Sequence, residues 1–184
     1  MRLFVALSIP QSVAQSLLLL QGGIPAARWQ SREQLHLTLR FIGEVDGSDM
    51  DAIDDMLAGI MAPDFSLQLH GVGQFGNKQP HSLFAGVRPN PALEHLQRKI
   101  YTAIRRIGLV EDANKFTPHV TLARLRHPDA EKMVDWLKYH ALYTSVEFPV
   151  EAFHLYSSHL THDGSSYAIE EGYPLGGHDD EIDD

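Results

Sequence analysis

The chain has 184 residues, 43% hydrophobic and 21% charged, enough apolar material for one sizeable core and the composition of a soluble globular protein. A formal charge of −9 argues against a partner held by bulk electrostatics, such as nucleic acid coated along its length, and the lack of cysteine excludes disulfides and thiolate metal sites. The most apolar run, Leu17 to Leu20, is too short to cross a bilayer, and no basic and then apolar leader opens the sequence, so a cytoplasmic protein without membrane association is expected.

Arg2 to Ser8 alternates as a strand, and Pro10 to Gln21 follows as a helix with proline in its first turn and Gly22 as a stop. After Trp29 comes a strand over Leu35 to Ile42. Ser48 and Asp51 have the spacing of a capping box for a helix through Met61, and Phe65 to Phe75 is again strand-like. Ser82 to Val87 then reads as a strand, and Asn90-Pro91 opens a helix whose stripe Leu93, Leu96, Ile100, Ile104 and Ile107 ends at Gly108. A strand over Pro118 to Leu125 and a helix opened by Pro128 follow, the latter turning Met133, Trp136 and Leu137 inward. A strand near Val146 to Tyr156, a hairpin loop from His159 to Ser165 and a strand over Tyr167 to Glu170 complete the elements.

Strand, helix, strand, helix, strand thus occurs twice, at an offset of about 80 residues. The expected fold class is α+β, with two pseudo-symmetric lobes built from a duplicated unit, antiparallel or mixed sheets lining a central cleft, and helices outside. A single bilobal domain is expected over residues 1–177, with repeat halves at roughly 1–80 and 81–175. Asp179, Asp180, Glu181, Asp183 and Asp184 make residues 178–184 an acidic tail that reads as a disordered, solvated end.

Each repeat contains the same tetrapeptide pattern, His36-Leu37-Thr38-Leu39 and His119-Val120-Thr121-Leu122. In a strand, His and Thr two apart share one face while the aliphatic residues between and after them share the other. Random placement of this chain's histidines and threonines gives roughly 0.4 His-x-Thr triplets, and the chain has three. The third, at His159, falls in the expected hairpin loop. The first two occupy equivalent places, so two imidazoles and two hydroxyls face one cavity across a pseudo-twofold axis.

With Leu35-His36-Leu37-Thr38-Leu39-Arg40-Phe41-Ile42-Gly43 and Thr117-Pro118-His119-Val120-Thr121-Leu122-Ala123-Arg124, the chain resembles the two-histidine (2H) phosphoesterases. The likeness is strongest to the RNA 2′,3′-cyclic phosphodiesterases once called 2′-5′ RNA ligases, whose start Arg2-Leu3-Phe4-Val5-Ala6-Leu7 also resembles. The resemblance implies hydrolysis of a terminal 2′,3′-cyclic phosphate to a 2′-phosphomonoester, with His36 as proton donor, His119 as proton acceptor, and Thr38 and Thr121 donating to the non-bridging oxygens. It requires no metal or cofactor, leaves open a reversible 2′-5′ ligation, and makes the partner an RNA with a cyclic-phosphate end or a small cyclic nucleotide, taken by a monomer.

Further candidates are weaker in pattern. Arg40 shares the strand parity of His36 and Thr38 and so reaches toward a phosphate or ribose. Arg124 has the opposite parity to His119, so a site role there needs a bulge or a strand end. Phe75 and Tyr156 occupy similar places in the two repeats and are candidates to stack on a base. Gly71-Val72-Gly73-Gln74-Phe75-Gly76 matches G-x-G-x-x-G, but Asn77-Lys78-Gln79-Pro80 follows where a dinucleotide site needs a helix. His81, His154, His159 and His162 lack metal-ligand spacing. Arg98, Lys99, Arg105, Arg106 and Lys115 read as the solvated face of a helix and its flank. Rival readings are a module that binds an RNA end or nucleotide without turnover, a 2H enzyme acting on another cyclic phosphate, and a metal-dependent hydrolase using the extra histidines.

Overall fold

The computed structural model describes residues 1–109 and 115–176, so the acidic tail at 178–184 lies outside the described residues. In chain order the elements are β1 (Arg2–Ser8), α1 (Gln11–Leu18), β2 (Arg28–Trp29), a 3-10 turn (Arg32–Gln34), β3 (His36–Glu44), α2 (Gly47–Ala58), β4 (Phe65–Leu67) and β5 (Leu69–Phe75). The second half gives β6 (Ser82–Val87), α3 (Pro91–Arg106), β7 (His119–Arg124), α4 (Ala130–Tyr139), β8 (Phe148–Val150), β9 (Ala152–Thr161) and β10 (Gly164–Pro174).

Seven strands run in the order β10-β9-β1-β3-β7-β6-β5, with β2 added against β7, and every pairing is antiparallel. The order around the centre is symmetric, β9-β1-β3 meeting β7-β6-β5. The last strand of each repeat crosses over: β5 pairs with β6 of the second repeat, and β9 pairs with β1 of the first. β4 and β8, one from each repeat, make a separate two-stranded sheet.

All four helices cover one face of the sheet. Val13 and Leu17 of α1, Ile53 and Leu57 of α2, Leu93, Leu96 and Ile100 of α3, and Met133 and Trp136 of α4 pack with Leu3, Val5, Leu37 and Val120 in one core. Each such fully buried aliphatic side chain contributes about 1.5–3 kcal/mol. Among the described residues the other face carries a small buried apolar cluster of Phe4, Ala6 and Tyr156, with Tyr167 packed on it, and that face is left for the cleft.

Several local features differ from the sequence expectations: the helices expected through Gln21 and Met61 end at Leu18 and Ala58, and the strand expected near 146–156 breaks at Glu151 into β8 and β9. The strand expected over 65–75 breaks at Gln68, whose amide donates to the Ser145 carbonyl (2.9 Å), and Phe65–Leu67 leaves to pair with the Pro149-containing β8, an edge where a missing N–H is tolerated. The expected loop at 159–165 shrinks to a two-residue turn, His162-Asp163, since Thr161 pairs with Gly164 and the ladder is already complete there. α2 starts at Gly47 after Asp46, and the capping box forms instead at Ser31 and Gln34, where the Ser31 N–H donates to Gln34 Oε1 at 2.9 Å.

Candidate active site

β3 and β7 meet at the centre of the sheet through one registered pair, Leu37 and Val120. Antiparallel pairing about that point sets His36 beside Thr121 and Thr38 beside His119. Leu37, Leu39, Val120 and Leu122 are at most 2% exposed on the helix side and anchor both strands. The polar quartet His36, Thr38, His119 and Thr121 lines a single cleft of about 460 Å³ on the opposite face.

The two imidazoles are held in the same way. His36 Nδ1 lies 2.8 Å from the carbonyl of Gln34, and His119 Nδ1 lies 2.7 Å from the carbonyl of Thr117, each two residues upstream. A carbonyl only accepts, so Nδ1 carries the hydrogen in both and Nε2 is the nitrogen left to exchange a proton. Aromatic rings pack around each imidazole. Phe4 and Tyr167 lie 4.9 and 5.0 Å from His36, and Phe75 and Phe84 lie 4.7 and 5.6 Å from His119, ring centre to ring centre.

Burial lowers both imidazoles below their ordinary value of 6.5 because it penalises the cation. His36 falls to about 4: burial dominates, the Gln34 carbonyl opposes it, and the charges of His119 and Arg124 add to the lowering. His119 is lowered by burial and by Arg124, against the pull of the Thr117 carbonyl. The cleft thus disfavours positive charge on either histidine and already holds a guanidinium, which is the electrostatic setting for an anion.

The two arginines exchange the positions their parity suggested. In β7, Phe84 faces Thr121 while Leu83 faces Ala123, so Leu122 is an extra residue and the strand bulges. The bulge reverses the alternation and turns Arg124 into the cleft lining. β3 bulges at the equivalent residue: Ala6 faces Thr38 and Val5 faces Arg40, leaving Leu39 extra. Arg40 is thereby turned to the helix side, its guanidinium carbon 4.9 Å from the centre of the Tyr101 ring, and it is not part of the cleft. Phe41 takes the cleft position instead, 59% exposed, at the place Arg124 holds in the other repeat.

Of the two candidate stacking residues, Phe75 lines the cleft edge-on to His119. Tyr156 does not: it is 8% exposed and stacked beneath Phe4 at 5.1 Å. Tyr167 stands where Tyr156 was expected, with its ring edge-on to His36. Its signal in the sequence was slight, an aromatic in a strand outside the duplicated unit. The hairpin that carries it is pinned over the site by Gln34, whose amide donates to the Ser165 carbonyl (2.7 Å) while its own carbonyl holds His36.

Within the G-x-G-x-x-G run, Gly73 serves packing. A Cβ on Gly73 would lie 2.5 Å from the Phe84 ring, which stacks on Phe75. Among the described residues no group of three or more His, Cys, Asp or Glu comes together as a metal-ion site. Arg98, Lys99 and Arg106 line a separate hollow between α2 and α3, away from the cleft. Among the described residues no helix is long and apolar enough to cross a membrane.

Residues 24–162 match the family model described as the 2′-5′ RNA ligase superfamily. Several proteins named RNA 2′,3′-cyclic phosphodiesterase are similar, some of them over most of their length. One from Thermotoga maritima is 31% identical over 179 residues, covering 92% of this chain and 92% of the relative. One from Thermus thermophilus is 32% identical over 191 aligned positions, covering 96% of this chain and 91% of the relative. The crystal structure of E. coli LigT complexed with 3′-AMP superimposes with a TM-score of 0.77 at 25% identity, covering 95% of this chain and 97% of that one. With the matched segment spanning both His-Thr strands, this chain belongs to the 2′-5′ RNA ligase superfamily of two-histidine phosphoesterases.

Proposed function

We propose that this protein hydrolyses the 2′,3′-cyclic phosphate end of RNA to a 2′-phosphomonoester, with His36 and His119 as the acid and base. The observation that carries this reading is the matched pair of imidazoles, each with Nδ1 tied to the carbonyl two residues upstream and each lining the same cleft. A protein that only binds an anion has no need of two such proton carriers on equivalent strands. The names of the relatives, at this identity and coverage, support the same substrate class.

In the scheme a water attacks phosphorus, His119 Nε2 takes the water's proton, the P–O3′ bond breaks, and His36 Nε2 delivers a proton to O3′. The phosphate stays on O2′, and atoms and charges balance. Thr38 and Thr121 donate hydroxyl hydrogen bonds to the non-bridging oxygens, and Arg124 offsets the charge gathering there. Burial lowers His119 and so favours the neutral form that a base must be, and burial lowers His36 as well. The anionic phosphate restores the proton to His36, so substrate binding takes up a proton. Ring contacts from Phe75 and Tyr167 flank the two imidazoles and fix their planes.

The test is incubation with an oligonucleotide ending in a 2′,3′-cyclic phosphate, with EDTA present, and identification of the product. The expected product is the 2′-phosphomonoester, formed at an undiminished rate in chelator because the two imidazoles account for every proton moved and the two hydroxyls with Arg124 for the charge stabilised. A 3′-phosphomonoester, or loss of turnover restored by one divalent metal, contradicts the scheme.

A further inference from the structure

A second hollow, of about 650 Å³, opens beside the cleft, and the two share the side chain of His81. One wall is the β5–β6 turn with Asn77, Lys78 and Gln79. The other is the connection from β7 to α4 with Arg126 and His127. The walls are tied together, since the Leu125 N–H donates to the His81 carbonyl (2.9 Å) and the His81 N–H to that of Phe75 (3.0 Å). Glycine is required at the turn: Gly76 has φ +87°, and a Cβ there would lie 2.3 Å from the Gln79 carbonyl oxygen. Across the hollow His127 has φ +48°, a left-handed conformation that costs a non-glycine residue energy and is held only by its surroundings. Both walls are therefore built into the fold.

The composition of the hollow is that of a nucleotide subsite. Its floor is apolar, from Leu125, Met133 and Val134, and its rim carries side-chain amides and the cations Lys78 and Arg126. None of its described lining residues is acidic, in a chain whose net charge is −9. With Arg124 in the adjoining cleft, Arg126 and Lys78 continue a row of positive charge away from the histidines. In the other direction the cleft is walled by Tyr167 and Ser165 of the pinned β9–β10 hairpin.

We propose that this hollow holds the nucleotide preceding the cyclic phosphate, so that the protein takes an RNA end in preference to a cyclic mononucleotide. This rests on the function proposed above. A flat base lies on Met133 and Val134, with the amides at its edge, and the connecting phosphate meets Arg126 and Lys78. Such contacts are local, which reconciles an RNA substrate with an acidic protein. Loss of both cations leaves that one phosphate unneutralised, worth about 0.7 in the slope of log affinity against log salt for a single strand.

The experiment compares kcat/KM for a cyclic-phosphate-ended oligonucleotide and for a 2′,3′-cyclic mononucleotide, in wild type and in Lys78→Ala/Arg126→Ala. Wild type is expected to prefer the oligonucleotide. The variant is expected to lose about tenfold on the oligonucleotide and flatten its salt slope by about 0.7, while its rate on the mononucleotide is unchanged. Equal loss on both substrates, or no loss on the oligonucleotide, overturns the subsite and leaves the hydrolase reading standing. Absence of turnover on either substrate in wild type overturns the hydrolase reading, and the subsite with it.

Discussion

His36 packs against Phe4, Tyr156 and Tyr167, and those rings separate it from an ordinary surface histidine. They hold it neutral down to about pH 4, whereas the unfolded chain's imidazole charges near 6.5. Between those two values the unfolded state binds more protons than the native one, so the stability contributed by the neutral imidazole is present above 6.5 and is lost as pH falls toward 4. The loss amounts to at most about 3 kcal/mol. Wild type should therefore lose more stability than His36→Gln when denaturant midpoints are followed from pH 7 to pH 4.5. Parallel curves would show that the ring is not desolvated as described. The same burial makes the imidazole a poor cation by itself and a ready one beside a phosphate, which ties the packing of Phe4 and Tyr167 to the proposed proton uptake.

The paired bulges at Leu39 and Leu122 decide which side chains on β3 and β7 reach the cleft. At the first, the Leu39 carbonyl left out of the regular ladder takes a hydrogen bond from Gln97 Nε2 of α3 at 3.2 Å. Gln97 is 8% exposed, so Gln97→Leu strands a buried acceptor. The expected cost is about 1–3 kcal/mol, or a fall in Tm of about 2–4 °C for each kcal/mol at this chain length, with kcat lowered because Thr38 precedes the bulge. An unchanged Tm would show that Gln97 does not support the bulge. Sequence patterning disclosed His36, Thr38, His119 and Thr121 since His-x-Thr alternation is local and the duplication repeats it. It misplaced Arg40 because a bulge depends on register with a distant strand, and parity counted along one strand cannot detect it. Arg124, of opposite parity to His119, enters the cleft through a bulge of this kind in β7. The polar Gln97 within the stripe Leu93, Leu96, Ile100 and Ile104 was the available hint of the other. Tyr167 escaped notice because β10 has no counterpart in the first repeat.

Across the whole molecule the repeat is legible and the exchange of strands is not. β5 and β9 each complete the half-sheet of the other repeat, so residues 1–80 and 81–175 do not correspond to the two halves of the sheet. Strand order is set by long-range pairing, and hydrophobic alternation along β5 or β9 is the same whichever neighbour it takes. The exchange locks the halves together around a seam that is itself slight, the single registered pair Leu37 and Val120. A cleft lies over that seam, with one His-x-Thr histidine from each side, and Arg124 stands in the second repeat where the first has the exposed Phe41. Near-symmetry supplies two like groups facing one cleft, and the departures from symmetry give them different surroundings, His36 being the more strongly lowered of the two imidazoles.

That central claim is tested most directly by kcat/KM against pH on a cyclic-phosphate-ended oligonucleotide for wild type, His36→Ala, His119→Ala and the double variant. Wild type should give a bell with both limbs below about pH 6.5, because kcat/KM reports the free enzyme and both free imidazoles are lowered. Each single variant should lose about 10²- to 10⁴-fold in kcat and one limb of the bell, and the double variant should be little worse than the singles, since acid and base act as a unit. Either single variant retaining wild-type turnover and a two-limbed bell would contradict the account.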